Sequence, residues 1–388
     1  MPRCLRQIYR IGLLCAALGL YSNSPALAQQ EPGDTPAPQA ASPATANRLV
    51  TRLRLGDGRH TFRPSRKQLG VSYAPGITNL TPLEQVHFVV DRAKLRRYLN
   101  KIAPYIRRSP HDARPIVAKA DPDDMGEGQP AAKIIPGYDG AILDTDAAVD
   151  FIKKTIETTP GTVHIVLPVK KKAADIHTAD LKGINARIGY FVTRFNPGDE
   201  GRTQTVRRAI EIIDGHVLQP GAIFSVNEVV GERTADRGFG MGHVFVDGKM
   251  EVQRGGGMCQ VATTLFNAAM LADLKIVERK QHVRTIPYAE PGRDATVYWG
   301  QKDFKFQNDT DAPLYVSYKT SHSRAIVSLF GKAVPGRKVR LVNRHRQLGE
   351  RHYTGSFYRV ISMPDGTKHK DPPFYSDYQW PPSLDYSR

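Results

Sequence analysis

The segment Gly255-Gly256-Gly257-Met258-Cys259-Gln260, continued by VATTLFNAAMLADL at 261–274, decides the architecture of the central part of this chain. Three consecutive glycines allow backbone conformations and close approaches that side chains would block. The run that follows predicts a helix, because its apolar residues recur at helical spacing. Its buried face is predicted to contain Ala262, Leu265, Phe266, Ala269 and Met270. The sequence thus predicts that Cys259 lies at or next to the N-terminus of a buried helix.

Around this helix, short apolar runs alternate with turn residues, which is typical of an antiparallel sheet. A second helix is predicted at 203–213, and a hairpin at 244–252 with Asp247-Gly248 as its turn. Further strands are predicted at 282–286, 295–299, 304–306, 314–318 and 325–330. We therefore predict an α+β fold, with a mostly antiparallel sheet and a few helices, for residues 186–334.

The first 28 residues predict a secretory signal peptide. Arg3, Arg6 and Arg10 precede a short apolar run, and Ala26-Leu27-Ala28 forms an A-x-A cleavage pattern. The apolar run is too short to span a bilayer as a mature helix. The Pro/Ala-rich residues 29–47 predict a disordered linker. We therefore expect an exported protein of the periplasm or cell envelope, without a transmembrane span after signal removal.

Three further regions follow from composition and periodicity. Residues 48–83 predict a small β-hairpin region. Residues 84–185 predict a small α+β module, whose first helix Asp91 caps and whose second starts at Asp144 or Thr145. Residues 335–388 carry ten Lys/Arg against five Asp/Glu and predict a basic, aromatic C-terminal β extension. Its last aromatic residues are expected to cover a sheet edge, with lining of a binding surface as the alternative; these residues are Phe374, Tyr375, Tyr378 and Trp380.

Charge and cysteine content narrow the classes of function. The 388 residues carry a formal charge of +17, and loss of the three arginines of the signal peptide leaves +14. A hydrophobic content of 40% and three cysteines exclude a wholly disordered chain and a disulfide scaffold. The excess of positive charge indicates acidic partners, and peptidoglycan or anionic wall polymers suit an exported protein. Nucleic acid is not expected, because the signal peptide and the lack of a recognisable motif oppose it.

Cys259 is the only cysteine that remains after signal removal. A helix N-terminus favours the thiolate, the nucleophilic form. His282 lies 23 residues further on and is the candidate base, with Asp294 as the acid that orients it and Asp303 as the alternative acid. The amides of the preceding loop are suited to hold an oxyanion, so the candidate oxyanion or substrate-loop residues are Gly255, Gly256, Gly257 and Gln260. The alternative is that Cys259 is a small buried hydrophobe of the core.

Five stretches of this region carry a resemblance to a known family. They are 219–225 (QPGAIFS), 230–234 (VGERT), 255–260 (GGGMCQ), 278–282 (ERKQH) and 292–295 (GRDA). In these stretches, and over about 187–331 as a whole, the sequence resembles the VanW-like family of bacterial exported proteins. The family is named for its occurrence with glycopeptide-resistance genes, so the resemblance implies a link to the cell wall.

Further expectations accompany this resemblance. Residues 84–185 resemble the peptidoglycan-binding module that often precedes the VanW-like domain. Arg279 and Arg293 belong to the matching stretches and are the candidate substrate-binding residues. His243 stands where the family is expected to carry a small or apolar residue, which favours His282 as the base.

Two functions remain open from the sequence. The order of a helix-start Cys, a His and an Asp is similar to the layout of transglutaminase-like and papain-like enzymes, which suggests a cysteine-dependent acyltransferase or peptidase acting on wall peptides. The alternative is a non-catalytic protein that binds peptidoglycan or wall polymers, with a structural cysteine. No P-loop and no zinc-ligand spacing occurs, so no cofactor and no metal are predicted.

Overall fold

The computed structural model describes residues 51–55, 60–77, 87–117, 129–159, 163–246 and 249–382. The predicted signal peptide (1–28) and linker (29–47) lie outside these residues. Within them, helices alternate with small, mostly antiparallel sheets, and the predicted α+β class is confirmed.

The first part of the described chain packs two long helices and one short helix against short strands. Each long helix is capped as predicted, because the side chain of Asp91 accepts hydrogen bonds from the amides of Ala93 and Lys94, and that of Asp144 from the amide of Ala147. The apolar residues at helical spacing are buried in one common core. The elements are β1 (Thr51–Leu55), β2 (Thr61–Phe62), α1 (Arg66–Leu69), β3 (Val71–Tyr73), β4 (Phe88–Val90), α2 (Arg92–Ile106), β5 (Arg114–Val117), β6 (Ala132–Ile135), β7 (Gly140–Leu143), α3 (Thr145–Thr158), β8 (Val163–Leu167) and β9 (Val169–Lys172).

The predicted hairpin at the start of this part is present as the antiparallel pair β1–β2. The other edge of β1 pairs in parallel with β8, which ties the hairpin to the strand after α3. Pro168 separates β8 from β9, because proline lacks the N–H that a ladder needs.

The central part contains the largest core. Four antiparallel strands form its main sheet in the order β10-β18-β17-β11, and a second small sheet has the order β12-β16-β15. The helix predicted after the glycines packs on β10 and β18, and the helix before them packs on β17. The elements are β10 (Ala186–Arg194), α4 (Glu200–Ile213), β11 (His216–Leu218), β12 (Ile223–Ser225), α5 (Val226–Val230), β13 (Met241–Val246), β14 (Lys249–Arg254), α6 (Met258–Leu271), β15 (Lys275–Glu278), β16 (Lys305–Gln307), β17 (Leu314–Ser321) and β18 (Arg324–Gly331).

The strands predicted at 282–286 and 295–299 are wrong. Neither segment forms a regular ladder, and side chains take several of the hydrogen bonds that a ladder would use. The amide of His282 donates to Asp294, and both backbone groups of Ala295 bond to the hydroxyl of Thr263 on α6. The two segments therefore lie across the N-terminal half of α6 instead of extending a sheet.

The C-terminal part is a four-stranded antiparallel sheet in which β20 pairs with the other three strands. A turn at 364–366 connects β20 to β21, and Gly366 takes the left-handed conformation there. The aromatic segment forms the last strand, whose Tyr378 is fully buried and whose Phe374 packs edge-on against Phe266 of α6. The elements are β19 (Lys338–Gly349), β20 (His352–Ser362), β21 (Lys368–Lys370) and β22 (Phe374–Gln379). In the part of the chain that the structure describes, no helix has the length and apolar character needed to cross a membrane.

Candidate functional site

Cys259 is the second residue of α6, immediately after the glycine loop. Gly257 caps the helix with φ of 107°, a left-handed conformation that favours glycine. A Cβ at Gly257 would also lie 2.9 Å from a methyl group of Val206 on α4, so the loop requires its glycine on two grounds. Cys259 is half-buried, and its Sγ lies 3.3 Å from the hydroxyl of Thr296 and 3.5 Å from the carbonyl oxygen of Val297.

His282 lies between Cys259 and Asp294. Its Nδ1 is 2.6 Å from Oδ2 of Asp294, and its backbone amide donates to the same oxygen at 2.7 Å. The other ring nitrogen, Nε2, is left to interact with the Cys259 side chain, which lines the same cleft as His282. A carboxylate at Nδ1 keeps the proton on that nitrogen and fixes the orientation of the ring. Asp294 thus orients the ring of His282, which lies beside the thiol of Cys259.

Asp294 is 1% exposed, and a second set of donors satisfies its other oxygen. Arg279 donates from Nη2 to Oδ1 at 2.8 Å, and from Nε to the backbone oxygen of Asp294 at 2.7 Å. The hydroxyl of Tyr378, on β22, also donates to Oδ1, while it accepts from the amide of Gly292 at 2.6 Å. The C-terminal sheet therefore holds the carboxylate that orients His282.

The pKa values of the three groups follow from this arrangement. Burial raises the pKa of Cys259, but the hydrogen bond to His282 and its positive charge outweigh burial and lower the pKa to about 7. Burial lowers the pKa of His282, but its bonds to Asp294 and Cys259 raise it to about 9. Burial raises the pKa of Asp294, while His282 and Arg279 lower it to about 2. At neutral pH the arrangement therefore favours a thiolate paired with an imidazolium.

Asp303, the alternative orienting acid, does not contact His282. Its carboxylate accepts hydrogen bonds from the hydroxyl of Ser225 and from the amides of Asn227 and Phe304. These bonds fix the start of α5 against the segment before β16. Between the two acids left open by the sequence, the structure brings Asp294 to the histidine.

Cys259 and His282 line a cleft of about 340 Å³. Among the lining residues that the structure describes, four are arginine or lysine and one, Glu232, is acidic. The basic residues are Arg202, Arg233, Arg254 and Lys302, and His243 lies at the exposed rim on β13. Aromatic walls are provided by Tyr288, Tyr298 and Trp299. The cleft is therefore suited to an anionic ligand that also offers apolar surface.

The structure places the two predicted substrate-binding arginines away from the lining of this cleft. Arg279 is buried beside Asp294, where it is 3% exposed as a side chain. Arg293 donates to Asn267 of α6 and stacks on the rings of Phe191 and Phe357. Both arginines lie in the packing between α6, the main sheet and the C-terminal sheet.

Some backbone amides of the glycine loop donate hydrogen bonds within the protein, and others have no acceptor among the described residues. The amides of Gly255, Met258 and Gln260 donate to neighbouring carbonyl oxygens. Within the described residues, those of Gly256, Gly257 and Cys259 have no acceptor. The side chain of Gln260 is fully buried. Its amide nitrogen donates to the hydroxyl of Thr193 and to the backbone oxygen of Arg194, and its oxygen accepts from Arg202. Gln260 therefore positions Arg202, which lines the cleft. An oxyanion beside the thiol would therefore meet backbone donors at the start of α6.

Sequence reasoning missed three contributors to the site. Arg233 belongs to the matching stretch at 230–234, which was the available signal for it. Thr296 follows the 292–295 stretch directly. Tyr378 lies 84 residues from Asp294, and nothing in the local sequence links the two. No three His, Cys, Asp or Glu side chains among the described residues converge in a way that would hold a metal ion.

The central α+β part of the chain thus places a cysteine, a histidine and an aspartate around the start of its buried helix. Residues 201–330 match the family model described as VanW like protein, so the expected resemblance is confirmed. The "Uncharacterized protein YoaR" of Bacillus subtilis is 40% identical over 156 residues, which cover 40% of this chain and 52% of that protein. The "Vancomycin B-type resistance protein VanW" of Enterococcus faecalis is 28% identical over 150 residues, covering 37% and 54%.

The chain thus spans about half the length of the curated relatives it matches. No solved structure gives a significant match. The peptidoglycan-binding module predicted at 84–185 stays a prediction, since the matched family region begins at residue 201.

Proposed function

We propose that this protein is an exported cell-envelope protein whose VanW-like domain performs cysteine-dependent acyl transfer or hydrolysis on wall peptides. The observation that carries the proposal is the hydrogen bond of 2.6 Å between His282 and Asp294, together with the position of His282 and Cys259 in the wall of one cleft. A nucleophile, a base and an orienting acid in hydrogen-bond contact are the parts that such chemistry needs.

The reaction begins with the thiolate–imidazolium pair. The Sγ of Cys259 attacks the carbonyl carbon of a peptide amide, and the electron pair of the carbonyl moves onto its oxygen. As the intermediate collapses, the C–N bond breaks and the imidazolium of His282 gives its Nε2 proton to the departing amine. The acyl group is then held as a thioester on Cys259.

Release of the thioester reverses these roles. The neutral imidazole of His282 takes a proton from an incoming amine or water, which attacks the thioester carbon and expels the thiolate. Asp294 stays ionised and stabilises the imidazolium in both halves of the reaction. The unengaged amides of Gly257 and Cys259 stabilise the oxyanion.

Three observations support a wall substrate for this chemistry. The N-terminal segment has the features of a signal peptide, which favours export. The family resemblance implies a link to the cell wall, and the enterococcal relative is named as a vancomycin resistance protein. The cleft is rich in cations, and wall peptides carry free carboxylates.

The experiment is to incubate the purified protein with muropeptides released from isolated sacculi and to follow both partners by mass spectrometry. We expect an acyl adduct on Cys259 and the appearance of released amine. Both should disappear in Cys259→Ala and in His282→Ala. The matched control is His87→Ala, which removes an exposed histidine outside the site and should leave the reaction unchanged. If the Cys259→Ala protein processes muropeptides as the native protein does, the proposal is wrong.

A second candidate function, binding of anionic wall polymers, is favoured by one face of the C-terminal sheet. Register places Lys338 and Lys368 on either side of Ser362, and Arg340 and Lys370 on either side of Val360. Directly paired residues of neighbouring strands point to the same face. Alternation along β19 adds two more cations, so this face carries six exposed ones: Lys338, Arg340, Arg344, Arg346, Lys368 and Lys370. In the described part of the chain, no carboxylate forms an ion pair with any of them.

Cosedimentation with sacculi tests this second function. Binding should weaken with added salt, because exposed charges are screened. Replacement of all six cations by glutamine should abolish binding, while Cys259→Ala should leave it intact. Equal binding by the six-site variant and the native protein would reject this role for the face.

A further inference from the structure

The guanidinium of Arg233 has one free end beside the candidate nucleophile. Its Nη1 is buried and has no hydrogen-bond partner among the described residues. Because an unsatisfied buried donor is costly, such an atom in a cleft indicates a missing acceptor. The acceptor is therefore expected to arrive with the ligand.

The rest of the Arg233 side chain is held in place. Its Nη2 donates to Oδ1 of Asn227 at 2.8 Å, and the guanidinium lies 5.5 Å from the ring centre of Trp299. Asn227 is itself fixed, since its amide nitrogen donates to the carbonyl oxygen of Lys302 and its backbone to Asp303. Asn227 and Trp299 thus fix the orientation of the guanidinium, and with it the position of Nη1.

The glycine loop creates the space for this side chain. A Cβ at Gly255 would lie 3.1 Å from both Cβ and Cγ of Arg233, so the stem runs directly against the glycine backbone. The same loop carries Cys259 four residues later. The arginine and the nucleophile are therefore positioned by one structural element.

Arg233 keeps its charge in this setting. Burial lowers its pKa to about 10, although the nearby Cys259 thiolate and Asp303 oppose that decrease. With Arg202, Arg254 and Lys302 it leaves the cleft with an excess of positive charge. A neutral ligand would leave this excess unbalanced, whereas a carboxylate would compensate it and accept from a planar guanidinium.

We propose that Arg233 binds a carboxylate of the substrate next to the carbonyl group that Cys259 attacks, so that the substrate is a peptide with a free carboxylate beside its scissile amide. This assignment deepens the proposed acyl transfer and rests on it. It makes Arg233 the specificity residue of the cleft, and it distinguishes acidic peptides from their amidated forms.

A pair of alkylating probes tests the assignment without the natural substrate. Iodoacetate and iodoacetamide react by the same displacement, in which the thiolate forms a bond to the methylene carbon and iodide leaves. They differ in that one carries a carboxylate next to the reacting carbon and the other an amide. We expect the iodoacetate reaction with Cys259 to saturate with concentration and to be favoured relative to iodoacetamide.

Variants then assign this preference to Arg233. In Arg233→Gln the ratio of the iodoacetate rate to the iodoacetamide rate should fall at least about tenfold, which corresponds to about 1.4 kcal/mol. Arg233→Lys keeps the charge but not the planar fork, and it should retain only part of the preference. The matched control is Arg207→Gln, an exposed residue of α4, which removes the same charge and should leave the ratio unchanged. Thermal unfolding of each variant verifies that it is folded.

A reversible pair extends the test to peptide chemistry. N-acetylalanine should protect Cys259 from iodoacetamide, and N-acetylalaninamide should not. Equal protection by the two, or an iodoacetate ratio that Arg233→Gln leaves unchanged, overturns the assignment. Failure of the proposed function gives a different result. Iodoacetate and iodoacetamide would then both react slowly with Cys259, in the native protein and in the Arg233 variants alike.

Discussion

The substitution Asp294→Asn removes the buried charge that orients His282 while it keeps the shape of the side chain. The two carboxylate oxygens accept from the ring and the amide of His282, from Arg279 and from Tyr378. An asparagine offers one oxygen and turns an amide group toward the remaining donors. The buried Arg279 then keeps its charge without a counter-ion, and His282 loses its partner at Nδ1.

The magnitude follows from two independent arguments. Burial raises the pKa of Asp294, but His282 and Arg279 lower it from 3.8 to about 2. A shift of that size corresponds to about 2.5 kcal/mol of folding free energy at neutral pH. Breaking a buried ion pair by removing one partner costs about 3–5 kcal/mol. We therefore expect Asp294→Asn to lower the free energy of unfolding by about 2.5–5 kcal/mol.

The pH dependence of this loss has a defined sign. The folded pKa of Asp294 lies below the unfolded one, so the stabilisation is present above about pH 4 and is lost as pH falls toward 2. The difference between native protein and variant should accordingly shrink between pH 4 and pH 2. At neutral pH it should be at its largest.

Urea unfolding followed by circular dichroism measures the effect. The control is Asp311→Asn, which removes an exposed carboxylate paired with Lys332 and should cause no measurable change. Arg279→Met in the Asp294→Asn background removes the unpaired cation and should restore part of the stability. A loss below about 1 kcal/mol for Asp294→Asn, or no recovery in the double variant, would refute the reasoning.

Three further outcomes are expected. Tyr378→Phe removes one donor to Asp294 and should cost about 1–2 kcal/mol in urea unfolding, with a small rise in the alkylation pKa of the thiol; an unchanged alkylation profile would separate the C-terminal sheet from the site. Gly257→Ala should destabilise by on the order of 1–3 kcal/mol, because its left-handed conformation and the contact with Val206 both oppose a side chain. The raised pKa of His282 and the lowered pKa of Cys259 change stability in opposite directions between about pH 7 and 9, so the two contributions largely cancel in the native protein. In Cys259→Ala the contribution of His282 stands alone, and the unfolding free energy should fall as pH rises above about 6.5; a flat titration of this variant would contradict the raised pKa of His282.

Local sequence was sufficient to predict the elements that carry the candidate nucleophile. The apolar spacing after the glycines defines α6, and the glycines define its start, so the position of Cys259 followed from short-range rules. His282 and Asp294 follow α6 along the chain in segments that lie across its N-terminal half. The expected proximity of these residues needed no long-range information.

The same local rules were wrong where side chains compete for backbone hydrogen bonds. The β-rich composition of 282–286 and 295–299 predicts strands, but Asp294 and Thr263 take the amides that would have formed ladders. These two segments are the ones that form the site. The irregular backbone is therefore a direct result of the polar network that orients His282.

Long-range partners could not be predicted from one sequence. Arg279 was expected to bind substrate, but it pairs with Asp294 in the interior. The sequence alone does not distinguish an arginine that binds substrate from one that forms a buried ion pair. Tyr378 reaches Asp294 because β22 pairs with β20, and that register depends on the whole C-terminal sheet. The role of Arg233 depends on its Nη1, which is buried at the cleft without a hydrogen-bond partner among the described residues, and the sequence does not show this.

The most direct test of the account is the pKa of Cys259, measured from the pH dependence of its alkylation rate in the folded protein. We predict a value of about 7, below the value of ~8.5 for an unperturbed thiol. In His282→Ala the value should rise above ~8.5, because burial then acts on the thiol without the opposing imidazolium. A thiol that reacts only after unfolding, or one whose pKa is the same with and without His282, would contradict the central claim that Cys259 is an activated nucleophile.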